Sequence, residues 1–334
     1  MVIVESYTIA VAMCVLTMLC WGSWANTQKL AQRQWPFQLF YWDYAVGVLL
    51  LSVVLALTMG SMGPAGRPFL ADLTQGEPGL LWSAFLGGVI FNLANILLVA
   101  AIDIAGMAVA FPVGVGLALV MGVVINYFAT PIGNPVVLSA GVAAVVLAMI
   151  IDALAYGSLP TASKRTSQRG MLLAIVAGLA MGLFYRFVAA SMASDFVNPE
   201  PGRLGPYSAI VVFAVGLFLS SFLWNTLVMA KPFVGPPVRF GDYFTKGDAR
   251  LHAIGLMGGA IWGVGMASSI IAAGAAGFAI SYGLGQGAAM VAALWGVLVW
   301  REFDAASPTT KRWLGVMFAC YVAGLALIIV SRLS

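Results

Sequence analysis

Apolar residues fall in long unbroken runs, separated by short clusters of Gly, Pro and charged positions, along the whole chain. Ten such runs cover residues 7–28, 38–60, 80–101, 105–128, 135–155, 170–192, 206–229, 251–273, 278–300 and 312–332. Each is close to the roughly 20 residues that a helix needs to cross about 30 Å of hydrocarbon. In that solvent a segment must satisfy its own backbone N–H and C=O groups, so the runs predict helices. The strict polar/apolar alternation of a membrane β-barrel is missing. Between the runs stand breakers such as SMGPAGRP, TPIGNP, SLPTASKRTSQR, DFVNPEPGRLGP and KPFVGPPVRFGDYFTKGD, none long enough to form a separate soluble domain. The expectation is an all-α membrane protein of ten transmembrane helices.

The composition agrees: 62% of the 334 residues are hydrophobic and 8% are charged, which leaves too little polar surface to cover a soluble fold. A net charge of +4 could suggest nucleic acid in a soluble protein, but the basic residues lie in loops and report membrane orientation instead. Lys29, Arg33, Lys164, Arg165, Arg169, Lys231, Arg239, Lys246, Arg250, Arg301, Lys311 and Arg312 fall on one side; Arg67, Arg203 and Arg332 fall on the other. Twelve against three predicts that both termini face outward from an inner or plasma membrane of bacterial type. The N-terminus lacks the basic segment of a cleavable signal peptide, so residues 7–28 are expected to be a retained span. Cys14, Cys20 and Cys320 lie in apolar runs without metal-ligand spacing and are expected to pack.

The chain also repeats itself. Residues 87–122 align without gaps on 258–293, pairing Gly87/Gly258, Gly88/Gly259, Gly106/Gly277, Gly114/Gly285 and Gly116/Gly287. The offset of 171 residues contains five spans, an odd number, which predicts two halves, 1–160 and 161–334, inverted relative to one another. Inverted repeats make alternating access possible, with a site near the midplane between them.

Several stretches carry a family resemblance: CWGSWANTQKL at 20–30, YWDYAVG at 41–47, GGVIFNLANILLVAAIDIAGMAVAFPVG at 87–114, VVINYF at 123–128, GGAIWGVGMASSIIAAGAAGFAISYGLGQ at 258–286 and ALWGVLVWREF at 293–303. In these the chain resembles the drug/metabolite transporter superfamily, and within it the ureide permeases and the glucose/ribose/rhamnose-type sugar uptake proteins. The resemblance spans essentially the whole chain and implies ten helices in two inverted five-helix halves and an uptake function. Plant ureide permeases carry a long central loop with a nucleotide-binding-like segment. Residues 156–169 here are short and lack GxxxxGK[ST], so no ATP link carries over.

The candidate chemistry consists of polar groups inside spans, where burial is costly unless they are paired or face a cavity. Asn92 and Asn95 lie one turn apart, suited to hydroxyls, ureas or lactams, or else to an interhelical hydrogen bond. Gln286 lies among glycines, one turn beyond Tyr282, with Val115 as its repeat mate. Trp21 and Trp24 follow helical spacing toward Gln28, and Trp262 takes the repeat position of Phe91; these aromatics can stack on a ring or simply pack. Arg186 is the only base well inside a span, and it aligns with Asn26 when Gly22 is laid on Gly182. Arg186 could bind a carbonyl or anionic group, or snorkel to the outer interface. Asp43 is the clearest acid for a coupling proton or cation, or else an ion-pair partner of Lys29 or Arg33, and Asp152 is a weaker acid candidate. His252, the sole histidine, is expected at the interface.

With one histidine, no HExxH and no clustered ligands, an enzyme is not expected. The function expected is secondary transport of a small neutral polar metabolite, a ureide, heterocycle or monosaccharide, by alternating access coupled to H+ or Na+. The alternative is efflux of organic cations or drugs. No cofactor is expected beyond the coupling ion. The partners expected are a small-molecule substrate and the lipid bilayer, with no nucleic acid, and a homodimer is left open.

Overall fold

A computed structural model describes residues 1–31, 35–159 and 167–334, with side chains at all of these except 107, 108 and 111. Arg33, Lys164 and Arg165, which enter the orientation argument, lie outside the described residues. The described chain is almost entirely helical. Ten helices are long and apolar enough to span a membrane: α1 Tyr7–Ala31, α2 Phe37–Leu57, α3 Pro78–Ala105, α4 Met107–Ala129 and α5 Pro135–Gly157, then α6 Gln168–Ser191, α7 Pro206–Ala230, α8 Ala249–Ala276, α9 Phe278–Val299 and α10 Pro308–Val330. All ten predicted runs are therefore helices, several extended by a turn. Two shorter helices, Phe69–Gln75 and Asp242–Thr245, stand in connections that the apolar pattern leaves as loops.

Local signals explain the boundaries. Proline occupies the first turn of α3, α5, α7 and α10, where its missing N–H costs nothing. Asn134, Ser167, Asp248 and Ser307 cap α5, α6, α8 and α10 by accepting hydrogen bonds from first-turn N–H groups. The α3–α4 and α8–α9 connections are single glycines, Gly106 at φ 81° and Gly277 at φ 87°. A side chain there would be strained, so a one-residue reversal needs glycine. These two glycines are repeat mates in the sequence.

Packing follows the same relation. The pairs α3–α6, α4–α6, α2–α8 and α4–α5 have counterparts in α8–α1, α9–α1, α7–α3 and α9–α10; α2–α7, α4–α9 and α5–α10 pair each helix with its own counterpart. At the α3–α7 crossing, a Cβ on Gly88 would strike the Phe213 carbonyl and one on Gly216 the Phe85 carbonyl. At α2–α8, Gly259 meets the Tyr44 carbonyl and Gly47 the Leu256 carbonyl in the same way. Backbones approach this closely only over small residues, the usual means of joining helices where lipid removes the hydrophobic drive. Leu50, Leu147, Leu172, Phe222 and Val322 are exposed on the outer surface of the bundle, as side chains solvated by acyl chains would be.

Two helices are broken. In α1 the helical bonding lapses at Trp24, between Tyr7–Ser23 and Ala25–Ala31. In α9 it lapses at Gln286–Gly287 and resumes over Ala288–Leu294, then widens into a π-helical turn at Trp295–Val299. Irregular backbone at membrane depth is tolerated where it lines a cavity.

The end of the bundle away from the basic loops is laced shut. The Met1 ammonium donates to the Ala65 carbonyl at 2.6 Å. Arg67 pairs with Asp72 at 3.0 Å and also donates to the carbonyls of Pro199 and Glu200. Asp72, fully buried, accepts from the Gly205 N–H at 2.7 Å.

Candidate functional site

Between the broken helices lies a cavity of ≈ 470 Å³. Its inner wall is aromatic: Trp21, Phe91, Phe184 and Trp262. Trp21 and Trp262 stack with centroids 5.9 Å apart and planes 12° from parallel. Phe91 closes on Trp262 at 4.4 Å. This spacing leaves no gap for an inserted ring, so the four form one apolar face rather than a clamp. Repeat mates meet here: Phe91 with Trp262, and Val115 with Gln286, all line the cavity.

Polar groups sit above that face. Gln286 is buried, lines the cavity at the break in α9, and its amide makes no hydrogen bond with any described residue. Asn95 donates to the Tyr41 hydroxyl at 3.2 Å, while its carbonyl oxygen accepts from none of the described residues. Asn26 is held by two bonds, donating to the Ser23 carbonyl at 2.9 Å and accepting from Trp300 Nε1 at 2.6 Å. Trp295 Nε1 donates to Ser23 at 2.8 Å, so the π-helical turn is pinned to the bend in α1.

The mouth is exposed and charged, at the end of the bundle where α1, α3, α5 and α9 finish. Lys29 pairs with Glu302 at 2.7 Å and lies 4.1 Å from the Trp300 ring centroid. The other Glu302 oxygen accepts from the Tyr156 hydroxyl at 2.9 Å. Asp103 and Asp152 line the same cavity. A smaller cavity of ≈ 250 Å³ between α2, α3 and α7 shares Gln28, Val99 and Asp103 with it.

Trp21, Trp24, Asn26, Asn95, Trp262 and Gln286 thus lie together around one space. The other candidates lie elsewhere. Asn92, one turn from Asn95, is fully buried and donates to the Leu217 carbonyl and to Ser220 and Ser221 on α7, at 3.1, 2.7 and 3.2 Å. Tyr282 is buried against Tyr185 and donates to the Met181 carbonyl at 3.0 Å. Arg186 is half-buried near the end of α6 and makes no ion pair with the described residues. Asp43 is buried outside the cavity lining, where the Tyr243 hydroxyl donates to it and His252 Nδ1 lies 2.9 Å away. Burial, and next the bond to Asp43, raise the Tyr243 phenol above its usual range. Asp43 is therefore not the partner of Lys29, which pairs with Glu302, and His252 is part of a polar cluster rather than a bare interface residue.

Sequence reasoning gave Asp152 little weight and assigned nothing to Asp103, Tyr156, Trp295, Trp300 or Glu302. The stretch ALWGVLVWREF contains three of these, and its two tryptophans five apart were the available signal, matching the wider π-helical turn. Among the described residues no cluster of three or more His, Cys, Asp or Glu could hold a metal.

The family model described as ureide permease matches residues 40–169 and 161–331. Ureide permease 1 of Arabidopsis thaliana is 22% identical over 99% of this chain and 99% of its own length, and ureide permease 2 of the same plant matches to the same extent. The probable ureide permease A3 of Vigna unguiculata is 30% identical over 38% of this chain and 35% of its own. A crystal structure described only as that of a protein superposes with TM-score 0.60 at 16% identity, over 98% of this chain and 99% of the other; the likeness is one of fold.

Proposed function

Because the chain belongs to the ureide permease family, we propose that it carries a small neutral ureide-type metabolite across the membrane through the central cavity. The relatives' names supply the substrate class, and the cavity supplies the chemistry. A ureide presents N–H donors and carbonyl acceptors in one plane. The Gln286 amide can donate and accept, and the Asn95 carbonyl can accept, both above an apolar aromatic face on which such a plane can lie. The observation that carries the reading is the Gln286 amide, in a wall of the cavity and hydrogen-bonded to none of the described residues. The amide reaches the open space of the cavity, so a substrate that pairs with it exchanges a water contact for a protein one, worth about 0.5–1.5 kcal/mol.

The cavity meets solvent at the basic-loop end while the opposite end is laced shut, so the conformation is open on one side only. Positive-inside bias makes the open side cytoplasmic in this reading and places both termini outside. The halves 1–160 and 161–334 act as inverted repeats. Support comes from the recurring helix pairs and from Gly106 and Gly277, each in a one-residue turn. Exchange of the two halves' conformations, with α1 straightening and α6 bending, would close the mouth and open the other end. Uptake is the direction chosen, driven by a cation gradient.

Export of organic cations is a second reading, supported by the three carboxylates Asp103, Asp152 and Glu302 that line the cavity. Counterflow in proteoliposomes decides between them. Purified protein loaded with unlabelled allantoin should accumulate labelled allantoin, with ribose and glucose competing weakly. Exchange of tetraphenylphosphonium without exchange of allantoin would put export first, and brisk exchange of ribose alone would move the substrate class to sugars.

A further inference from the structure

The carboxyl of Asp152 on α5 is 5% exposed and lines the cavity near its mouth. Its Oδ1 is fully buried, and no described residue donates a hydrogen bond to either of its oxygens. An ionised carboxylate in such a setting, without donor or counter-ion, costs several kcal/mol. The groups around it make matters worse for a charge. Glu302, beyond α9, is the neighbouring carboxylate, and its own oxygens are already taken by Lys29 and the Tyr156 hydroxyl. From α10 comes Tyr321, whose hydroxyl is buried and also unpartnered, within electrostatic range of Asp152. Tyr156 lies one turn on along α5, and Asp103 faces the same cavity from α3. The remaining neighbour, α4, has Tyr127 as its one titratable side chain, engaged with the Gly133 carbonyl. Among the described residues no base faces Asp152 directly; Lys29 is reached only through Glu302.

Asp43, by contrast, has both oxygens within hydrogen-bond distance of His252 Nδ1, and Tyr243 also donates to it. It is a satisfied carboxylate outside the transport space. Two carboxylates and a tyrosine also give too few oxygens, in no converging arrangement, to replace the shell of a hard cation.

We propose that Asp152 carries the coupling proton: it binds the proton when the cavity opens to the opposite side, arrives with it in the conformation seen here, and releases it to water when the Lys29–Glu302 pair at the mouth parts. This rests on the transport reading of the cavity. On release the carboxyl O–H bond breaks, its electron pair stays on the oxygen, and the proton passes to water beside Glu302. The Tyr321 hydroxyl is the donor held ready for the resulting carboxylate. Because Glu302 follows α9 by three residues and Lys29 lies on α1, and both helices are broken, opening or closing the mouth changes the charge next to Asp152. That links the proton to the conformational step.

Two measurements test this. In proteoliposomes, a pH gradient of one unit sustains up to about tenfold accumulation at one proton per substrate. Asp152→Asn should lose that accumulation while keeping counterflow of allantoin within about twofold of the unsubstituted protein; Asp43→Asn should keep both. Separately, an infrared pH titration of purified protein in detergent, with no substrate present, should show a protonated-carboxyl band that Asp152→Asn removes, Asp152→Glu shifts in frequency, and Glu302→Gln moves to lower pH. If allantoin is not exchanged by any variant, the substrate reading fails while the infrared titration still tests Asp152. The proposal is overturned if Asp152→Asn still accumulates allantoin on a pH gradient, if a sodium gradient alone drives uptake, or if the band is unchanged in Asp152→Asn.

Discussion

Asn92 and Asn95 stand one turn apart on α3, yet the structure gives them different work, and replacing each by alanine separates the two. The Asn92 amide has two N–H groups, shared among the Leu217 carbonyl, Ser220 and Ser221. Interhelical hydrogen bonds in membranes average about 0.6 and reach about 1.7 kcal/mol each, so losing two costs about 1–3 kcal/mol. At about 2–4 °C per kcal/mol, Asn92→Ala should lower the melting temperature by about 2–12 °C and leave allantoin affinity unchanged. Asn95 makes one bond to Tyr41, and its carbonyl is available to the cavity. Asn95→Ala should therefore cost little stability. Loss of one substrate hydrogen bond worth about 0.5–1.5 kcal/mol should raise Kd about 2–12-fold. Thermal unfolding in detergent, followed by tryptophan fluorescence with and without allantoin, reads both quantities from one sample. Equal loss of affinity in the two variants, or a greater loss in Asn92→Ala, would refute the assignment.

Other consequences follow from particular contacts. Gln286→Ala should weaken allantoin binding about 2–10-fold with little change in unliganded melting temperature, measured by isothermal titration. Gly259→Leu and Gly88→Leu should each abolish the folded, monodisperse peak in size-exclusion chromatography, because each side chain would occupy the space of a facing backbone carbonyl. At the laced end, the hydroxyl of Ser194 and then its backbone N–H donate to Glu200 and hold that carboxyl below the usual glutamate range. A lowered value means that the contribution is complete at neutral pH and is lost as pH falls through it. Protection against hydrogen exchange at 194–204, taken relative to the intrinsic rate at each pH, should therefore fall on acidification below about 4, and Glu200→Gln should be poorly protected at both pH values.

The spans were readable because length and apolarity are properties of a segment by itself, and membrane solvent leaves helices as the one solution for such segments. The glycine register at an offset of 171 was readable for a related reason: Gly106 and Gly277 each meet a backbone demand that no other residue meets well. Which polar residue faces the cavity was not readable. Asn92 and Asn95 differ by a small rotation about the axis of α3, and the serines of α7, more than 120 residues away in sequence, take up the Asn92 N–H groups while Asn95 reaches the cavity. The carboxylates show the same limit. Asp43 sits further inside its apolar run than Asp152, yet Tyr243 and His252 come from a connection and from the start of α8 to cover it, while none of the described residues donates to Asp152. Tyr282 was drawn into the candidate set by its spacing from Gln286, but its hydroxyl is spent on the Met181 carbonyl and its ring is buried against Tyr185.

The claim on which the rest depends is that the central cavity is a water-filled transport site. Ala292 on α9 lines it and is small enough to take cysteine with little disturbance. With Cys14, Cys20 and Cys320 replaced, Ala292→Cys should react with a charged, membrane-impermeant maleimide from one face of the membrane, and allantoin should slow that reaction; Leu147→Cys, on the outer surface of the bundle, should not react. Absence of labelling at residue 292, or labelling that no ureide slows, would contradict the account.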